Sequence, residues 1–94
     1  MIEATGEYID WRNQQAPKHR LQISSRLEKI KDEGYFGDHK SVGDNIFELR
    51  WKNGRRIYYT LIPTRHVLLL LGGNKNGQNK DIKEAEKIYH EWTN

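Results

Sequence analysis

Apolar and polar positions alternate along Ile46–Leu61, IFELRWKNGRRIYYTL, the period of a strand with one buried face. Phe47, Leu49, Ile57, Tyr59 and Leu61 form the apolar set, and Arg50 and Arg56 belong to the opposite one. Asn53-Gly54 interrupts the run and marks a hairpin. A two-residue Asn-Gly turn pairs Arg50 with Ile57 and Trp51 with Arg56, which mixes the faces. A three-residue loop, Lys52-Asn53-Gly54 with Gly54 left-handed, pairs Leu49 with Ile57 and Arg50 with Arg56. The pattern therefore predicts the three-residue loop. It also sets two arginines opposite each other on an open face, where like charges repel unless an anion lies between them.

The rest of the chain supplies the other elements. Met1–Ala4 reads as a short edge strand, and Thr5 as the N-cap of a short helix carrying Tyr8, Ile9 and Trp11. Ala16-Pro17 opens a second helix, with proline suited to the first turn. Ile23, Leu27 and Ile30 give that helix one apolar stripe, and Gly34 is its natural C-cap. Tyr35–Asp44 reads as loop, punctuated by Gly37 and Gly43. After the hairpin a strand runs from about His66 to Leu71, its unbroken leucines placing it inside the sheet, and Gly72-Gly73 ends it. Asn76 is placed to cap a last helix over Gln78–Trp92, with Ile82, Ala85, Ile88, Tyr89 and Trp92 as its stripe. The order β-α-α-β-β-β-α, with helices segregated from an antiparallel sheet, predicts an α+β fold. No repeat, low-complexity tract or linker divides the chain, so residues 1–94 are expected to form a single domain.

Composition narrows the classes. The 94 residues carry 31% charged against 35% hydrophobic residues, and no run approaches the roughly 20 apolar residues that span a bilayer. The beginning MIEATGEY lacks the positive and apolar regions of a secretory signal, and there are no cysteines, so a cytoplasmic location is expected. A net charge of +3 favours anionic partners only mildly.

Each cluster of chemistry admits a functional and a plain reading. Arg50 and Arg56, with Lys52 and Arg55 at the turn, suit a phosphodiester held by guanidinium bonds. They equally suit a solvated sheet face on which Glu48 neutralises Arg50. Tyr58 either stacks on a base or packs beneath the arginines. Gly72-Gly73-Asn74-Lys75 gives a backbone that a ligand approaches closely and a projecting cation, or simply a turn with a surface lysine. It lacks P-loop spacing. The four histidines (His19, His39, His66 and His90) show no metal-binding spacing, so no metal or other cofactor is expected. Ser24-Ser25 has no nucleophile elbow around it.

Four segments carry a family resemblance. RLEKI with GYFGDHKSVG resembles a helix end followed by a GD-x-K-x-x-G loop. NIFELR resembles an ELR strand, RRIYY an R-[VI]-Y-[YF] strand, and LLLLGGNKNGQNKDIKEA an LLL-x-G-G-x-K-x-x-Q-x-x-D-I-x-x-A ending. Together they resemble the RelE/ParE toxin superfamily, and within it the HigB-like, phage-derived "addiction module killer" branch. The match runs from about Arg26 to Ala85.

The resemblance implies a RelE-like fold: two N-terminal helices packed on a small antiparallel sheet, with a C-terminal helix. It implies the toxin of a bacterial type II toxin–antitoxin system, a ribosome-dependent, metal-independent mRNA endonuclease causing growth arrest. Its partners would be the ribosome, mRNA and a cognate helix-turn-helix antitoxin. Carried over by motif, the catalytic set is Arg50, Arg56, Lys75 and Lys40, with Lys52, Arg55 and Tyr58 as RNA-binding residues. A ParE-like, non-nuclease inhibitor of gyrase and a basic RNA-binding domain are the alternatives. The chain departs from the pattern at the compact WKNGR tip and at Arg55, where relatives usually carry an aromatic residue. That leaves Arg55 and Arg56 competing for the RNA-facing position, with the three-residue register favouring Arg56.

Overall fold

A computed structural model describes residues 2–63 and 66–93. The elements are β1 (Ile2–Ala4), α1 (Gly6–Asn13), α2 (Pro17–Glu33), β2 (His39–Gly43), β3 (Ile46–Arg50), β4 (Arg55–Ile62), β5 (His66–Asn74) and α3 (Gln78–Thr93). Met1, expected in the first strand, lies outside the described residues.

The helix boundaries follow from their caps. The Thr5 side chain accepts from the Tyr8 amide at 3.0 Å and its hydroxyl donates to the Leu70 carbonyl at 2.7 Å, so one residue starts α1 and ties it to β5. Pro17 occupies the first turn of α2, and Gly34 ends it in the left-handed region at φ +67°. Ile23 and Ile30 from α2 and Tyr8 from α1 pack on Leu49, Ile57, Tyr59, Val67 and Leu69. On the other sheet face Ala85 and Ile88 of α3 pack on Ile46, Tyr58, Leu68 and Leu70. The sheet is thus sandwiched between two helices on one side and one on the other.

The strand order is β1-β5-β4-β3-β2, and β1 pairs with β5 in parallel while the other pairs are antiparallel. The expected order gains one strand, because His39–Gly43, read as loop, forms β2 against β3. An edge strand with three exposed residues at its start carries no apolar alternation to reveal it. The sheet is also mixed rather than wholly antiparallel, since the α1–α2 and hairpin segments intervene between β1 and β5 and permit a crossover.

Two further expectations change at β5. Gly72-Gly73 does not end the strand, which continues to Asn74. A Cβ on Gly72 would meet the Trp11 ring at 2.0 Å, and one on Gly73 would meet Asp81 Oδ2 at 2.1 Å. The glycines therefore admit α1 and α3 to opposite faces of one strand. The cap after it is Asn74 rather than Asn76: Asn74 Oδ1 accepts from the Asn76 amide at 2.9 Å and starts a 3₁₀ turn, Lys75–Gly77, that runs into α3. A bulge opposite Tyr58 and Tyr59 turns both Leu70 and Leu71 toward α3. Leu61, grouped with the core by its alternation, is 43% exposed and lines an open groove with Ile2, Phe36 and Val67.

Candidate functional site

The β3–β4 hairpin has the predicted register: Leu49 faces Ile57 and Arg50 faces Arg56. Trp51 donates its amide to the Arg55 carbonyl at 3.0 Å, and Gly54 closes the tip at φ +95°. The face carrying the arginines is not open, however. α3 lies over its middle, and Glu48, Tyr58, Leu68 and Leu70 are fully buried there. Arg50 and Arg56 occupy the rim where that cover ends, with side chains 35% and 14% exposed.

The anion between the cations is the chain's own. Glu48 places Oε1 3.8 Å from Arg50 Nη1 and Oε2 3.9 Å from Arg56 Nε. Its direct hydrogen bonds come from Gln78, at the start of α3, whose Nε2 donates to the two oxygens at 3.2 and 3.0 Å. A second carboxylate holds Arg50 from outside: Nε and Nη2 donate to Asp38 Oδ1 at 3.2 and 3.1 Å. Asp38 is itself positioned by Arg26 of α2, which donates to the carbonyls of Phe36, Asp38 and Arg50. The Arg26 guanidinium also lies 4.5 Å from the centroid of the Trp51 ring. Burial pulls its pKa down, and Asp38 opposes that pull.

Arg56 is held less completely than Arg50. Its Nη1 donates to the carbonyls of Arg55 and Trp51 at 3.1 and 3.4 Å, but its buried Nε has no acceptor. The Tyr58 hydroxyl, also buried, has no partner either. Burial, reinforced by Glu48 and Asp81, pushes the Tyr58 phenol up to about 12, with Arg56 acting the other way. Burial likewise raises the Asp81 carboxyl above its ordinary value, against the pull of Lys80. The unpaired Arg56 Nε and Tyr58 hydroxyl thus lie below the rim, and an incoming anion would meet the outer guanidinium edges instead.

The other expected residues separate. Lys75 lies over the hairpin tip: its amide donates to the Gly54 carbonyl at 2.8 Å, and its methylenes pass 3.4 Å from a Cβ position on Gly54. Lys40 is the register partner of Glu48 on the exposed start of β2. Lys52 lines a groove of about 720 Å³ with Leu21, Lys29, Tyr35 and Trp51, on the α2 side of the hairpin.

One of the three RNA-binding expectations, Tyr58 as a stacking platform, needs correction, and Arg55 faces away from Arg56. Tyr58 is 0% exposed, packed under α3, and has no face on which a base could stack. Arg55 points to the opposite side of the sheet from Arg56. There its Nε donates to Gln15 Oε1 at 3.3 Å and its Nη2 lies 2.8 Å from His19 Nδ1. Alternation along β4 separates the neighbouring arginines, and burial pulls the Arg55 pKa down.

Sequence reasoning assigned no catalytic or positioning role to Glu48, Asp38, Gln78 or Asp81. Glu48 stood within the alternating face, and Gln78 and Asp81 stood at fixed places in the GGNKNGQNKDI run. Their spacing marks a helix start; that the helix seats on Glu48 is a tertiary fact. Among the described residues, no group of three or more His, Asp or Glu is gathered as a metal site, and no helix is long and apolar enough to cross a membrane.

The family described as "Phage derived protein Gp49-like (DUF891)" matches residues 10–93. An uncharacterized protein of Haemophilus influenzae is 42% identical over 74 residues, covering 77% of this chain and 74% of that protein. Among solved structures, a doubly substituted E. coli RelE toxin in the free state superposes with a TM-score of 0.73 at 16% identity, covering 93% of this chain and 94% of that one. The E. coli RelBE toxin–antitoxin complex gives 0.67 at 14% identity, covering 79% and 94%. The YoeB–YefM complex from Staphylococcus aureus gives 0.61 at 16%, covering 77% and 92%. At these identities the structural likeness is one of fold. The fold is therefore RelE-like, and the family match spans all but the first nine and the last residue: the chain belongs to the Gp49-like phage-derived family.

Proposed function

We propose that this protein is the toxin of a type II toxin–antitoxin pair and acts as a metal-independent endoribonuclease that cuts mRNA on the ribosome, in the cytoplasm. The observation that carries this reading is the pairing of Arg50 with Arg56 at the rim of α3, beside Lys75 over the hairpin tip. The fold is that of the E. coli RelE toxin, whose RelBE toxin–antitoxin complex it also resembles.

The chemistry suits such a site. The 2′-hydroxyl attacks the adjacent phosphorus, the P–O5′ bond breaks, and a 2′,3′-cyclic phosphate and a free 5′-hydroxyl result. The transition state gains negative charge on the phosphoryl oxygens, which cations fixed in advance stabilise. Arg56, through the outer edge of its guanidinium, is the principal phosphate ligand, and Lys75 and Arg50 add charge from the two sides. Lys40 assists from the edge strand, and Lys52 meets the RNA backbone beyond the tip. Arg55 and Tyr58 leave the RNA-binding set and support the fold.

A helix-turn-helix antitoxin is the proposed protein partner, an acidic segment of which would oppose this cationic rim. Induction of the wild-type chain followed by primer extension on cellular mRNA tests the reading. New, codon-phased 5′ ends together with growth arrest are expected. Intact messages with DNA-damage signalling would overturn it in favour of gyrase inhibition.

A further inference from the structure

We propose that Glu48 is a positioning residue for the cleavage reaction: a buried counter-charge that sets the spacing of Arg50 and Arg56 without using up their donors. The proposal rests on the nuclease reading above.

Glu48 is 0% exposed, and a carboxylate in that environment is costly unless charge and hydrogen bonds compensate it. Gln78 supplies the hydrogen bonds, through one nitrogen shared between both oxygens. The two guanidiniums supply the charge, one against each oxygen, at 3.8 and 3.9 Å. Those separations are within ion-pair range but beyond hydrogen-bond range.

The difference matters to a phosphate. A carboxylate engaged in a bidentate fork would occupy the same N–H groups that a phosphoryl oxygen needs. At its longer distance Glu48 cancels the repulsion of facing cations and holds them in place from beneath, while the outer Nη2 of Arg56 keeps its donors. Being fully buried beneath Gln78, Glu48 does not itself touch RNA. The last helix thereby enters the chemistry indirectly: Gln78, its first residue, orients the carboxylate that orients the arginines.

The test is single-turnover cleavage of a defined mRNA on programmed 70S ribosomes, reading the saturating rate and the half-saturating toxin concentration separately. Glu48→Gln keeps the side-chain volume and removes the charge. The rate is expected to fall about 100-fold, the cost of an ångström-scale misplacement. The half-saturating concentration should stay the same or fall, because a negative charge beside the phosphate site is gone. Gln78→Ala, which leaves the charge and loosens its orientation, should slow cleavage by about tenfold, again without weakening binding. Thermal melts establish that each variant is folded, and Gln78→Ala carries the test if Glu48→Gln is not.

Wild-type rates in both variants would overturn the role of Glu48. So would rate and affinity falling in proportion, the signature of a general structural defect. Failure of the wild-type protein to cleave would instead overturn the nuclease reading, and this role with it.

Discussion

Arg50 and Arg56 are register partners across the β3–β4 hairpin, and the buried carboxylate of Glu48 reaches toward both, one oxygen to each. Their environments nonetheless differ. Arg50 has two nitrogens committed to Asp38, whereas Arg56 touches carbonyls through Nη1 and leaves Nε unpaired. The pair is therefore one cation anchored by hydrogen bonds to a carboxylate and one without such bonds, which makes them unequal as targets of substitution.

Arg56→Ala is expected to reduce cleavage by about 100- to 1,000-fold, the usual cost of losing a preorganised donor to transition-state charge. Arg56→Lys should fail to restore it, since a point charge does not reproduce the planar fork. Arg50→Ala and Lys75→Ala should each cost less. Growth arrest after induction and ribosomal cleavage rates measure the order. Full toxicity of Arg56→Ala with an unchanged circular dichroism spectrum would remove this residue from the site.

Tyr58 offers a test of the buried face. Its hydroxyl has no hydrogen-bond partner, so Tyr58→Phe should change stability at neutral pH by less than about 1 kcal/mol. Tyr8, Tyr58 and Tyr59 are each pushed up to about 12, chiefly by burial, from an ordinary 10.0. The unfolded chain therefore loses these protons first. Stability should be unaffected by these groups below pH 10 and fall as pH rises from 10 toward about 12. Urea unfolding across that range should show a shallower decline in Tyr58→Phe.

At Gly73 the expected effect is steric. Gly73→Ala puts a methyl group onto Asp81 Oδ2, and the variant should lose about 1–3 kcal/mol, as overpacked sites do. Combining it with Asp81→Ala should recover much of that loss, a non-additivity that urea midpoints of the two single variants and the double variant would reveal. Simple additivity would place the strain elsewhere.

Thr5→Ala removes a helix cap and a buried hydroxyl bond to β5 together, with an expected cost of about 1–2 kcal/mol. Thr5→Ser retains both bonds and should lie close to wild type. Equal destabilisation by the two would attribute the effect to the missing methyl group instead.

What the sequence made legible was what depends on local period and local cost. Alternation fixed the hairpin register because a one-residue slip would have exposed Leu49 and Ile57. Thr5, Pro17 and Gly34 marked helix ends because each satisfies a backbone requirement at its own position. β2 escaped notice because an exposed edge strand has no buried face to impose a pattern. The continuation of β5 through Gly72-Gly73 escaped for a related reason. Glycine there answers to Trp11 and Asp81, residues distant in sequence, and not to a turn.

The site was legible only as far as its cations. The arginines could be placed on one face by counting, and motif resemblance added Lys75 and Lys40. The opposing charges could not be found that way. Asp38 reaches Arg50 through the path that Arg26 imposes on the intervening loop, and Gln78 reaches Glu48 from 30 positions away. Such contacts have no period. Arg55 and Arg56 show the converse, since alternation alone sends neighbouring arginines to opposite sides.

The seating of α3 on Gly73 and Glu48 also orders events in time. During synthesis the hairpin, with both arginines, leaves the ribosome before Gln78 and Asp81 do. Until α3 has emerged and docked, Glu48 lacks its hydrogen bonds and the face beneath the helix is wet. A chain in which α3 has not yet docked therefore carries the cations without the geometry that fixes them. A protein proposed to attack ribosomes would thus acquire its finished site only once its last helix has docked.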